Sequence, residues 1–203
     1  MAVTRAQLNA LVRPKLNDAS KGNYSDTELN AIITAAVTAT EQVAKCNLAT
    51  VTTSSITTNP LDPTPLFEVL DVYCAAARLD IISFLDLPGL SATWPATAAT
   101  DAAGTKRYWW QQHGLAVGYY PKVATGKIFT IYGYGTSVPM VADSGATGSI
   151  LTIPDGFANT FLVDRIEAGA RLARPRVPGN IALAGVLLAQ WRAACPTIQV
   201  GAG

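Results

Sequence analysis

Hydrophobic positions follow a helical period at both ends of the chain and a two-residue period in its middle. Near the start, Leu8, Leu11, Val12 and Leu16 recur at helical spacing. Thr4 and Gln7 form a capping box ahead of them, and Pro14 limits the helix near its end. Ser25 and Glu28 repeat the capping signature after a polar turn over 18–24. Leu29, Ile32, Ile33, Ala36, Val37, Thr40, Val43 and Ala44 then line one side of a helix of about five turns, roughly 30 Å long. Late in the chain, Pro154 suits a first helical turn and Asp155 complements its positive end. Phe157, Ala158, Phe161, Leu162, Ile166, Gly169, Ala170 and Ala173 form the stripe, with Asp164, Glu167, Arg171 and Arg174 opposite. The stripe passes from large to small residues, which leaves room for a second helix at its far end. Pro175 and Pro178 end that helix. Asn180 caps a last one, with Leu183, Val186, Leu187, Gln190, Trp191 and Ala194 on its face and Pro196 as its stop.

Between these ends, residues 49–58 are rich in Thr and Val, and 66–74 and 79–84 read as strands around a short Ala75–Ala77 connection. Residues 107–120 are aromatic and strand-rich, and Phe129 and Ile131 alternate with Ile128, Thr130 and Tyr132. Residues 87–105 are irregular and 138–148 form a loop. The pattern predicts an α+β fold: a helical bundle built from residues 1–46 and 153–203, with a small antiparallel β-module, 47–152, inserted between them.

Composition changes this picture in one respect. Charged residues are 14% of the 203, against roughly 25% in average soluble domains. Interface cores are charge-depleted, so the low figure favours an assembly component. A net charge of +1 supplies no field to recruit nucleic acid or a membrane. The apolar run 181–189 is far short of the roughly 20 residues a membrane span needs. Met1-Ala2-Val3-Thr4-Arg5 leads into the first helix without an apolar run, so no targeting segment is expected. Cys46, Cys74 and Cys195 have no metal-type spacing and read as reduced, semi-buried thiols of a protein made in the cytoplasm.

Chemistry-bearing motifs are scarce. His113 is the one histidine, and no sequence motif supplies it with a nucleophile or carboxylate partner. No serine elbow, HExxH or phosphate loop is present, and Tyr132-Gly133-Tyr134-Gly135 lacks the third glycine and following helix of a nucleotide loop. Trp94, Tyr108, Trp109, Trp110, Tyr119 and Tyr120 read as core packing ahead of a stacking platform for a sugar or a base. Glu68, Asp71, Asp80 and Asp86 are the carboxylates that a cell-wall hydrolase would draw on. From Ala168 onward there is no acidic residue, while Arg171, Arg174, Arg176 and Arg192 are all positive. These four arginines, with Ile198 and Val200, form the candidate partner interface; at a helix end, complementing the dipole is the competing role for the first three. No catalytic residue, metal ligand or cofactor is assigned.

The order of these pieces resembles the head-to-tail adaptor, or connector, proteins of tailed bacteriophages. The likeness rests on the leading helix over 4–16, the helix start Tyr24-Ser25-Asp26-Thr27-Glu28-Leu29 and the strand pair over 69–82. It continues through Tyr119-Tyr120-Pro121-Lys122-Val123-Ala124-Thr125-Gly126 into 127–134, and ends at Ile153-Pro154-Asp155-Gly156-Phe157. The long segment 85–106 departs from the family pattern. The resemblance implies a virion protein of the head–tail neck that is not an enzyme. Such proteins form a homo-oligomeric ring, commonly of twelve copies, under the portal protein. The ring extends the DNA channel, lets DNA pass without specific binding, and offers a docking surface to tail or neck proteins. On that footing the basic C-terminal segment is expected to engage the portal. The competing readings are a virion-associated cell-wall hydrolase and a monomeric β-type carbohydrate- or ligand-binding module.

Overall fold

Two reciprocal caps set where the first helices begin. Thr4 accepts a hydrogen bond from the Gln7 amide while the Gln7 side chain accepts one from Thr4. Ser25 and Glu28 repeat the arrangement. The computed structural model describes residues 2–18, 20–54, 61–90, 107–111, 116–120, 127–137, 149–150 and 152–198. In chain order the elements are β1 (Val3–Thr4), α1 (Arg5–Lys15), α2 (Asp26–Ala44), β2 (Leu48–Ser54), β3 (Leu66–Cys74), β4 (Ala77–Arg78) and β5 (Asp80–Ile81). A 3-10 turn at Phe84–Asp86 leads to α3 (Leu87–Leu90), β6 (Tyr108–Gln111), β7 (Val117–Tyr120), β8 (Ile128–Gly135) and β9 (Ser149–Ile150). Then come α4 (Asp155–Phe157), a π-helical turn at Ala158–Leu162, α5 (Val163–Ala173), and α6 (Asn180–Ala194) with a 3-10 turn at Cys195–Thr197. The fold is α+β.

Contacts divide the chain into two units, 1–47 with 136–203, and 48–135. The return to the helical unit thus comes at Thr136, earlier than the change of period at 153. Two long-range pairings draw it there. β9 pairs antiparallel with β1, and Ser137 donates from its amide and its hydroxyl to the buried Glu41 carboxylate on α2. Thr152 donates to the same carboxylate at 2.6 Å.

In the helical unit, Leu8 and Val12 of α1, Leu29, Ile33 and Val37 of α2, Leu162 and Ile166 of the late helix, and Trp191 of α6 share one buried cluster. The π turn holds an extra residue per turn and so shifts the phase of the helix beyond it. Ala173, expected inside, is exposed, and Glu167, expected outside, is buried. Pro154 stands just before the helix as its cap. Gly179 caps α6 with φ 82°, in the left-handed region that glycine tolerates. Asn180, expected as the cap, lies inside the helix and donates to the carbonyls of Arg171 and Arg174. α6 buries Ala184, Leu187, Trp191 and Ala194, whereas Leu183 and Val186 face outward. Its sequence is apolar almost all round, so periodicity did not single out the inner face.

The second unit holds a four-stranded sheet ordered β2-β8-β3-β4 and a three-stranded sheet ordered β5-β6-β7. β5 pairs with β6 in parallel, which corrects the wholly antiparallel expectation. The strand expected over 79–84 is two residues long and gives way to the 3-10 turn; Leu79 is buried, whereas Ile81, Phe84 and Leu85 are exposed. Val69, Val72, Phe129 and Ile131 of the larger sheet bury with Trp109, Val117 and Tyr119 of the smaller. The Tyr119 and Phe129 rings lie 4.6 Å apart. β3 shifts register twice against β8, and the Glu68 carbonyl there crowds Gly133 so closely that a Cβ would overlap it. The β3–β4 hairpin turns on Ala75 and Ala76, at φ 50° and 65°. A two-residue turn with both residues left-handed normally carries Asn-Gly.

These two positions predict opposite outcomes. Gly133→Ala should destabilise the chain by about 1–3 kcal/mol through overpacking against backbone. Ala76→Gly should stabilise it by about 1 kcal/mol, because the left-handed alanine is relieved. Urea unfolding followed by tryptophan fluorescence measures both.

Candidate interaction surface

The arginines read as one basic cluster fall into two kinds. Arg171, in the last turn of α5, brings its Nε within 2.8 Å and its Nη2 within 2.7 Å of Glu167. It also donates to the Asn180 side chain at 3.2 Å and to the Lys15 carbonyl at 3.1 Å. One guanidinium therefore joins the ends of α1 and α5 to the start of α6. Arg174 lies with its guanidinium carbon 4.8 Å from the centre of the Tyr24 ring, donates to the Asn23 carbonyl, and comes within 3.8 Å of Glu28. Both hold the fold together, with charge spent inside the unit. Arg176 and Arg192 are exposed. Arg174 and Arg176 line an open recess of about 390 Å³ with Ala173, Pro175 and Val177.

Ile198, counted in the candidate partner interface, is buried in the helical core. The 3-10 turn after α6 carries the chain back over the bundle, so an apolar residue there is covered rather than offered. Val200, His113 and Trp94 lie outside the described residues. Trp109, Trp110 and Tyr119 are buried, which leaves them no exposed face for stacking a ligand. Of the acidic residues considered for hydrolysis, Asp71 pairs with Arg78 at 2.7 Å, and Asp80 and Asp86 are exposed. Among the described residues no group of His, Cys, Asp and Glu has the arrangement of a metal site, and no helix is long and apolar enough to cross a membrane. Cys46, Cys74 and Cys195 are buried and form no disulfide. Burial pushes the thiols of Cys46 and Cys195 up to about 11.

Among the described residues, the outside of α6 is an apolar surface that nothing described covers. Ile181 is 61% exposed and Val186 54%, and Ala182, Leu183, Gly185, Ala189 and Ala193 are exposed around them. Only Gln190 and Arg192 are polar on that side. This face was not among the sites expected from sequence, although the apolar run 181–189 carries its signal. A helix apolar on every side is normally covered on every side. Compared with known protein families and with curated proteins, the chain has no match.

Beneath Tyr24, Asp18 accepts from Arg13 at 2.8 Å and from the amides of Asn23 and Tyr24. These interactions, the Asn23 amide foremost, hold its carboxyl below the usual aspartate value. A lowered folded-state pKa gives stability that is complete above the unfolded value of 3.8 and lost as pH falls through the folded one. Asp18→Asn should therefore destabilise the chain at pH 7 and narrow its gap to the parent below pH 3.8, as read by urea midpoints across pH. Arg171→Ala should cost about 2 kcal/mol, since it strips the buried Glu167 of its nearest charge. Arg176→Ala should stay within about 0.5 kcal/mol of the parent in the same assay.

Proposed function

We propose that the chain is a structural head-to-tail adaptor of a tailed bacteriophage. Copies would pack side by side in a ring below the portal, commonly of twelve in that family, extending the DNA channel and receiving tail or neck proteins. The observation that carries this reading is the uncovered apolar face of α6. A helix outside with Ile181 and Val186 more than half exposed and one charge along its length is built to be covered by protein. The low charged fraction supports the same view, and a near-neutral chain would let DNA pass without the counterion release that makes binding tight. Arg176 and the recess beside it are the offered contact to the portal, in place of the wider arginine set. The role is one of position, in the neck of the virion, and not of catalysis.

The test is assembly. The full chain, alone and mixed with a portal protein from the same source, is imaged by negative-stain electron microscopy and sized by mass photometry. Rings with an axial opening that bind the portal are expected. A chain that stays monomeric in both samples overturns the reading.

A further inference from the structure

Two arginines of the helical unit carry charge that nothing described there offsets. The guanidinium carbon of Arg165 lies 5.2 Å from the centre of the Trp191 ring. Its Nε is buried with no hydrogen-bond partner. Its Nη1 lies against Gly169, where an added Cβ would come within 3.5 Å of it. Arg192 follows Trp191 in sequence and is exposed. Burial first, and then the Arg192 charge, pull Arg165 below the usual arginine value. Several described acids of this unit are engaged elsewhere. Asp164 meets Lys15, Glu167 meets Arg171, Glu28 meets Ser25, and Glu41 meets Ser137. Among the described residues, neither Arg165 nor Arg192 has an ion pair.

Arg192 also belongs to the uncovered side of α6. Ile181, Gly185 and Arg192 follow one line along that helix, with Ala182, Val186 and Ala189 beside it. Whatever covers this face must therefore be apolar and must bring a carboxylate. α6 has no acidic residue, so pairing two copies of α6 would leave both arginines unmatched in either direction.

The sheet-bearing unit displays the complement. Leu85 is 84% exposed, and Ile81 and Phe84 are exposed beside it. Asp86, next in sequence, is exposed and makes no side-chain hydrogen bond or ion pair among the described residues. Leu85 and Asp86 sit at the 3-10 turn, so an apolar tip and a free carboxylate are presented together.

We propose that the Ile81–Asp86 segment of one copy seats on the outer face of α6 of a second copy, with Asp86 meeting Arg165 and Arg192. Leu85 and Phe84 would lie on Ile181, Gly185 and Val186. The two surfaces differ, so the contact is heterologous and each copy can both give and receive. This rests on the ring reading above and names its interface.

The experiment uses the full chain with Leu85→Cys in one preparation and Val186→Cys in another. The native thiols are buried, so mild oxidation of the mixture should yield a disulfide-linked dimer that neither preparation forms alone. Asp86→Arg placed in the first preparation should lower the yield about tenfold, by setting like charges together. Arg192→Asp placed in the second should then restore it. All four residues are exposed, so circular dichroism is expected to match the parent for each variant. Absence of the cross-link, or a yield indifferent to the charge exchange, overturns the proposal. Portal-bound rings without the cross-link would leave the adaptor reading standing and show that another surface covers α6. Cross-linked reciprocal pairs without rings would keep this contact and remove the adaptor reading.

Discussion

The helical unit depends on how Trp191 is held. Its indole is buried in the core cluster, and its Nε1 donates at 3.0 Å to the hydroxyl of Thr40, which donates in turn to the Ala36 carbonyl at 2.8 Å. The bond joins residues 151 apart in sequence and fixes α6 against α2. Truncating a buried tryptophan typically removes about 3–5 kcal/mol, a large part of the roughly 5–15 kcal/mol that holds an ordinary domain. Once this side chain is placed, the rotation of α6 about its axis is decided. Ala184, Leu187 and Ala194 must then face inward, and Ile181, Val186 and Arg192 must face away. The uncovered face is a consequence of the anchor.

How much of this was legible depends on the range of each interaction. The caps at Thr4 and Ser25 were readable because donor and acceptor lie three residues apart. The alternation in β8 was readable because one of its faces is buried, so each second residue had to be apolar. The π turn was not, since it changes the phase of a helix without changing its composition. Nor was the clamp of Ser137 and Thr152 on Glu41, which spans 96 and 111 residues and has no periodic trace. α6 failed in a different way. Its apolar residues occupy nearly every position, so the sequence could say that much of the helix would be covered, but not which side its own chain would cover.

The candidate site shows the same division between charge that can be counted and charge that is available. Counting arginines after Ala168 assigned one patch, yet Arg171 neutralises a buried glutamate and Arg174 is held by Tyr24 and Asn23. Meanwhile Arg165, outside that count, has a buried donor without a hydrogen-bond partner among the described residues. A buried donor left without a partner costs about 1–3 kcal/mol, more when charged. Stacking on Trp191 offsets part of this, since a cation over an indole face gains about 0.5–2 kcal/mol. The remainder favours any state in which a carboxylate arrives.

Such a contact need not be strong one copy at a time. Three or four apolar side chains with one carboxylate set between two arginines cover less than the roughly 1,200 Å² of a stable isolated interface. Where unlike surfaces repeat around a closed circle, every copy is held on two sides. A broken contact then leaves its two halves tethered by the rest, at an effective concentration in the millimolar range. Surfaces that are apolar, small and nearly uncharged suit this arrangement. They add little steering and little risk of aggregation in a single copy, yet their contribution rises sharply once neighbours fix their spacing. In the proposed ring, the low charge of the chain and its uncovered apolar side chains would share one physical explanation: each would suit a contact that is completed by repetition.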